Sequence, residues 1–144
     1  MSTIESSIYT QKSIEKSLVL AFDEGDDVLS GMKTAITQHG IREATAVDAE
    51  GLLKEATIQY FNHNKFTSTE LKNGRIVSCS GRFMNLKDGI YGDLHVGFML
   101  GMQMWDGTLV KAIAKNGFQL TLKFHQPVDQ IQKIPPEGIR GVQN

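Results

Sequence analysis

The sequence predicts an α+β fold, in which one main helix packs on an antiparallel β-sheet of about six to eight strands. Apolar residues recur at helical spacing in one segment, residues 28–36. After Gly40, short runs of alternating apolar and polar residues are separated by turn residues, which is typical of strands. Fourteen glycines against three prolines indicate many tight turns, as an antiparallel sheet requires.

The first two predicted elements are a strand and the main helix. Apolar residues dominate the strand, Lys16–Phe22. Either Asp26 or Asp27 can cap the helix, because its carboxylate can accept hydrogen bonds from the free amides of the first turn. His39 falls in the last turn, and Gly40 takes the position after the helix, where left-handed backbone is common. The apolar face of this helix consists of Val28, Leu29, Met32, Ala35 and Ile36.

The rest of the chain predicts a succession of strands and turns. The predicted strands are Thr45–Asp48, Lys54–Phe61, Phe66–Leu71, Ile76–Met84, Leu94–Leu100, Thr108–Ala114 and Phe118–His125, of which the last has the clearest alternation. A loop is predicted at Asn62-His63-Asn64, and breaks at Asp88-Gly89 and Gly92. Hairpin turns are predicted at Asp106-Gly107 and Asn116-Gly117.

One domain is predicted, because 144 residues and 16.0 kDa suit a single compact core. It comprises residues 16–126. A polar lead at 1–15 precedes it, and an extended tail at 127–144 follows it. Ile131 and Ile134 could hold this tail against the domain.

Composition narrows the class of protein. Fifteen Lys and Arg against sixteen Asp and Glu give a net charge of −1, which counts against a sequence-independent nucleic-acid binder. No apolar run approaches the roughly 18 residues that a membrane span needs, and the N-terminal residues lack the features of a secretory signal. A single cysteine, Cys79, leaves no intrachain disulfide and indicates a reducing compartment. We therefore expect a cytoplasmic protein.

Six short segments, in order, carry a family resemblance. Phe22-Asp23-Glu24-Gly25-Asp26-Asp27-Val28 leads into the helix and Gly40-Ile41-Arg42-Glu43-Ala44 leaves it. The strand segments are Gly51-Leu52 with Ala56–Tyr60, Ile76–Gly81, Asp93–Val96 and Asp106–Val110. In this order and spacing the chain resembles the PPC domain (plant and prokaryote conserved, also called DUF296) over about residues 17–125.

The resemblance implies a fold and an assembly. Its fold is an antiparallel sheet flanked by helix, and its working unit is a homotrimer. In plants the domain follows an AT-hook and mediates assembly among partner proteins, whereas prokaryotic members are short chains commonly labelled as DNA-binding. The Arg-Gly-Arg-Pro core of an AT-hook is absent here. The resemblance therefore implies little chemistry.

One feature of the family is only partly kept. Many prokaryotic members carry a His-x-His pair and a later Gly-Gly-His, three histidines suited to a metal. Here His95 matches the first histidine, Gly97 stands at the second, and Lys111-Ala112-Ile113 replaces the Gly-Gly-His. No cofactor is predicted, although three copies of His95 around a trimer axis could hold zinc or another divalent metal. A hydrogen-bonded histidine without a ligand is the favoured alternative.

Two further groups of residues are candidates for contacts. The apolar stretch that contains Phe98, Met99, Met102, Met104 and Trp105 is predicted as an oligomer interface, with ordinary core as the alternative. Arg75, Arg82 and Lys87 are candidates for contacting nucleic acid. Phe61, Phe66 and Phe83 interleave with basic residues as a stacking surface would, but alternation predicts that most of these rings point into the core.

No catalytic residue is predicted. Cys79 lies in a predicted strand with no adjacent base, as a small packing residue would. The sequence therefore predicts a non-enzymatic, homotrimeric PPC-like assembly and binding module associated with DNA binding. Its partners would be copies of itself and nucleic acid or a nucleic-acid-associated protein, with no membrane. The alternative is a small-ligand or metal-binding protein with its site at the trimer interface near His95.

Overall fold

The computed structural model describes residues 13–127. In this range the chain forms seven strands and one helix, which confirms the predicted α+β architecture. The elements are β1 (Ser13–Phe22), α1 (Val28–Gln38), β2 (Glu43–Glu50), β3 (Leu52–Asn62), β4 (Lys65–Leu86), β5 (Gly89–Leu100), β6 (Gln103–Ala114) and β7 (Phe118–Pro127).

The described residues belong to two compact units. Ser17–Phe124 forms one compact unit and holds the helix and nearly all of the sheet. The described residues of the second unit are Ser13–Lys16 and residues 125–127, the ends of β1 and β7, where Ser13 Oγ lies 3.4 Å from His125 Nδ1. The predicted contacts of Ile131 and Ile134 lie outside the described residues.

The main helix forms as its sequence predicts. Asp27 is the N-cap, and its Oδ1 accepts a hydrogen bond from the Ser30 amide at 3.0 Å. The helix ends at His39, and Gly40 follows with φ of +62°, which glycine adopts without strain. Four of the five predicted apolar residues are buried, namely Val28, Met32, Ala35 and Ile36, and Leu29 is half-buried against the core.

The seven strands form one sheet in the order β1-β7-β2-β4-β3-β6-β5, and β4 also pairs with β5. Pairing of β3 with β4, β4 with β5, β5 with β6 and β6 with β3 therefore closes a cycle of four antiparallel strands. Inside it lie the fully buried side chains of Leu53, Ile58 and Phe98. Each of these four strands therefore has a hydrogen-bonded neighbour on both of its edges over part of its length.

The predicted strands Phe66–Leu71 and Ile76–Met84 are parts of one continuous strand, which corrects the prediction of two. β4 has 22 residues: its first half pairs with β3, and its second half pairs with β5 on one side and β2 on the other. Asn73, with φ of +57°, lies two residues before Arg75, where pairing with β3 ends and pairing with β5 begins. This asparagine resembles a turn signal in the sequence, but the chain stays in the sheet there.

The predicted turn at Asp106-Gly107 is wrong. These residues lie in the middle of β6, where they pair with Gly97 and Val96, and the chain reverses instead at Gly101-Met102. Gly92 likewise lies within β5 and interrupts nothing. Asn116-Gly117 does form a turn, but it joins β6 to β7, which do not pair with each other and therefore make no hairpin.

Gly107 is needed for close approach rather than for a turn, and this gives a testable prediction. A Cβ at this position would lie 2.8 Å from the backbone oxygen of Gln59. The approach is close because Gly107 pairs with β5 and directly precedes Thr108, where the pairing of β6 with β3 begins. We expect Gly107→Ala to lower the free energy of unfolding by about 1–3 kcal/mol, the usual cost of overpacking.

Chemical denaturation at one protein concentration measures this loss. Gly101→Asn is the matched control, because Gly101 has φ of +63° with open space around it, and asparagine tolerates that backbone. An alanine variant at 107 as stable as the wild type would show that β6 and β3 are further apart than described.

Candidate functional site

A row of polar side chains crosses the outer face of the four-strand cycle. Ser80, His95, Thr108 and Gln59 stand opposite one another on β4, β5, β6 and β3. The exposed ring of His95 is held through Nδ1, which lies 3.1 Å from Thr108 Oγ1. A shallow pocket of about 280 Å³ opens beside it; the polar side chains in its wall are Gln59, Ser78, Ser80, His95, Asp106 and Thr108.

Gly97 lies beside this pocket at the position of the second histidine in the resembled family. A Cβ there would lie 2.5 Å from Ser78 Oγ and 3.1 Å from Asp106 Oδ1, so these side chains already occupy the space. Ile113, at the third histidine position, is half-buried on β6. Among residues 13–127, no three His, Cys, Asp or Glu side chains come together to hold a metal. Within this part of the chain, a single copy therefore does not supply the ligands of a metal centre.

The sequence offered no local motif for this pocket. His95 was identified through the family resemblance, whereas the other polar residues come from three other strands, β3, β4 and β6. They meet only because of the strand register. Alternation alone would have placed them on the outer face, but not beside one another.

The tip of the β5–β6 hairpin carries an exposed apolar surface. Met99 and Met104 stand opposite each other with 40% and 57% of their surface exposed, and Met102 in the turn is 99% exposed. Trp105 is half-buried with its ring 6.4 Å from that of Tyr60. Its indole Nε1 is buried and has no hydrogen-bond partner within the described chain. We call Met99, Met102, Met104 and Trp105 the methionine tip.

Phe98 differs from the other four residues of the predicted interface. It is fully buried, because its side chain points into the four-strand cycle and packs close to Gly74. It therefore supports the hairpin from inside the core and offers no surface to another chain.

The three basic candidates lie along one strand but do not converge. Arg75 stands opposite Met99 in the middle of β4, and Lys87 lies in the turn after it. Fully extended, twelve residues would separate these two by about 40 Å. Arg82, between them, is paired with Glu43 at 3.2 Å, so its charge is partly balanced. Arg75 and Lys87 thus remain the two better candidates for binding an anion.

Two of the aromatic rings expected in the core are exposed instead. Phe61 and Phe66 stand opposite each other at the β3–β4 hairpin, with 62% and 69% of their surface exposed and ring centroids 5.3 Å apart. Pairing of β3 with β6 ends at Gln59, so no strand covers them. Only Phe83 is buried as predicted. The alternation of β3 already places Phe61 on the same face as Gln59, a signal that the prediction overlooked.

Cys79 is poorly suited to nucleophilic chemistry. Burial, with a smaller contribution from the nearby Asp48 carboxylate, raises its pKa to about 11. Its thiol is therefore protonated at neutral pH, whereas a nucleophilic cysteine needs a depressed pKa. It packs against the edge of the core as a small apolar side chain.

Comparisons with known proteins give a family and a fold. The model of the Plants and Prokaryotes Conserved (PCC) domain matches residues 9–122. A metal-containing protein from Archaeoglobus fulgidus has a similar structure, with TM-score 0.69 and 19% sequence identity, over 85% of this chain and 87% of that one. No curated protein sequence matches the chain.

Two further solved structures share this fold. A plant- and prokaryote-conserved protein from Pyrococcus horikoshii matches with TM-score 0.66 and 19% identity, over 83% of this chain and 85% of its own. A protein from Ralstonia eutropha named "Putative DNA-binding protein" matches with TM-score 0.65 and 20% identity, over 81% and 83%. In the described part of the chain, the one helix is too short to cross a membrane.

Proposed function

The chain belongs to the Plants and Prokaryotes Conserved domain family, and on that basis we propose that it is a non-enzymatic homotrimeric module that acts by assembly and binding. The observation that carries the proposal is the methionine tip. Methionine and tryptophan are enriched at the centres of subunit interfaces, and methionine adapts its shape to a partner surface. A surface of this kind is unfavourable in water unless another molecule covers it.

Further copies of the chain are the partners that best fit this tip. On its outer edge, β5 pairs with β4 as far as Met99, whereas β6 pairs with β3 only from Thr108 onward. A second copy would therefore cover the exposed side chains of the tip beside the outer edge of residues 103–107, which pairs with no described strand. The net charge of −1 imposes little repulsion between identical chains. Arg75 stands beside Met99 and would lie at the rim, where arginine is common.

The trimer is tested by placing a charge in the tip. We expect the wild type to have about three times the chain mass of 16.0 kDa in light scattering, and Met104→Lys to shift it to the monomer, because a buried unpaired ammonium is costly.

Val110→Lys is the matched control, because Val110 lies on the same strand and is 53% exposed against 57% for Met104. We expect this variant to keep the mass of the wild type. An unchanged trimer in the Met104 variant would exclude the methionine tip, and a monomeric wild type would exclude the assembly.

Nucleic acid is the second partner in this proposal. Support comes from the exposed positions of Arg75 and Lys87 and from the name of the structurally similar Ralstonia eutropha protein. Three copies would present each basic side chain three times, so weak contacts add through avidity. The near-neutral charge and the Arg82–Glu43 pair make each contact weak.

Fluorescence anisotropy with a labelled duplex DNA tests this binding at low and physiological salt. We expect affinity to fall steeply with salt, and Arg75→Ala with Lys87→Ala to flatten the salt slope by about one unit for each phosphate that the variant no longer neutralises. Lys33→Ala on the exposed face of α1 is the control that should leave the slope unchanged. Flat anisotropy at low salt would remove DNA from the possible partners.

A second candidate function is binding of a small polar ligand or metal in an assembled site at the His95 pocket. The favouring observation is that its walls present hydroxyl, amide, carboxylate and imidazole groups to one space. Because a single chain lacks three metal ligands there, copies of His95 from three chains would have to supply them.

Elemental analysis of the purified protein tests the metal. This function predicts about one divalent ion per three chains, lost in His95→Ala, since three imidazoles on a symmetry axis share one ion. Thr108→Val, which removes the hydroxyl beside His95 Nδ1, should retain more of the metal than His95→Ala. A purified wild-type protein without metal would exclude the metal site, and a polar ligand would then be the remaining candidate for this pocket.

A further inference from the structure

A groove runs between strand β1 and helix α1, within the unit Ser17–Phe124 and apart from the methionine tip. Its volume is about 570 Å³, and it is lined on one side by the consecutive residues Leu18–Phe22. The side chains on the other side are Asp26, Asp27, Ser30 and His39, with Gly31 between them. Since residues from both ends of the helix line the groove, it follows α1 along its length.

Strand β1 presents an unpaired backbone edge to its surroundings. It lies at the end of the sheet and, within residues 13–127, pairs with β7 alone. The Phe22 carbonyl accepts from the Gly117 amide at 3.0 Å, on the β7 side. Because alternate residues of an antiparallel strand direct their N–H and C=O to opposite edges, the backbone groups of Ala21 and Val19 point to the free edge.

The part of this edge that lines the groove lacks the usual protection against another strand, although Lys16 lies just before it in β1. Natural edge strands carry lysine, proline or a bulge that prevents further pairing. Leu18–Phe22 contains no charged residue, proline or glycine, and Val19 is 55% exposed. Such a segment is a good template for an added strand.

The dimensions and charge of the groove identify its occupant. The 11-residue helix is about 16 Å long at 1.5 Å per residue, which matches about five residues of extended chain. Asp26 and Asp27 are the acidic side chains in the lining, and no lysine or arginine lies among the lining residues. We propose that the groove binds an extended, positively charged peptide segment of a partner protein, which adds as a strand to the free edge of β1.

The test uses the full chain and a fluorescein-labelled heptapeptide, acetyl-Arg-Val-Thr-Val-Lys-Val-Arg-amide. We expect saturable binding by anisotropy, and about tenfold weaker binding of the same peptide with glutamate at its three basic positions, since opposite charges favour one partner. Asp26→Asn should reduce this preference. Its amide oxygen can still accept from the Asp23 amide, as the carboxylate does at 2.8 Å.

A matched pair of variants separates backbone pairing from side-chain contact. Val19→Pro removes the free-edge N–H but leaves alternate residues bonded to β7, and we expect about tenfold weaker binding, the value of one missing hydrogen bond. Val19→Thr keeps the N–H and should bind as the wild type does. Hydrogen exchange provides a readout without mutation: the peptide should slow exchange of the Val19 and Ala21 amides more than that of the Leu20 amide.

Results other than the expected ones overturn the proposal. No binding of the basic peptide, or equal binding of the acidic one, removes the charged strand as occupant. A change of mass in Val19→Pro without peptide binding would assign the edge to a second copy of the chain. The monomeric Met104→Lys variant should bind the peptide as the wild type does, so failure of the trimer and failure of this groove are distinguishable.

Discussion

The architecture depends on the length of strand β4. Its 22 residues pair with three different strands, and the change of partner near Asn73 lets β3, β4, β5 and β6 close on themselves. Two shorter strands joined by a turn could not hold all three neighbours in one sheet. Gly74 and Gly107 allow the close approaches that this closure requires, one over the Phe98 ring and the other over the Gln59 backbone.

The surfaces available for function follow from that closure. Within the cycle, the register brings His95, Thr108 and Gln59 into one polar row, and the same hairpin ends in exposed methionines. Outside the cycle, β1 lies at the end of the sheet and, among the described residues, pairs with β7 alone. The chain therefore presents a shallow polar pocket, an apolar tip and a free strand edge at separate places.

Several site residues depart from what the sequence pattern or the family resemblance predicts, and the structure gives physical reasons. Gly97 is not an empty position, because Ser78 and Asp106 occupy the space beside its Cα. Phe98 is a core residue, whereas the methionines around it are exposed. The Phe61–Phe66 pair is exposed because β6 stops pairing with β3 before reaching it. Of these arrangements, only the exposed position of Phe61 has a signature in local sequence, the alternation of β3.

Local chemistry was sufficient to predict the helix with its caps and its buried face, and most of the alternating strands, because each depends on residues near one another in the chain. It was insufficient for the sheet order, the continuity of β4 and the role of Asp106-Gly107, since a glycine required for close packing looks the same in sequence as one required for a turn. The tertiary structure decided which side chains meet. Pairing between distant strands sets that register, and one residue of shift would move every side chain to the opposite face.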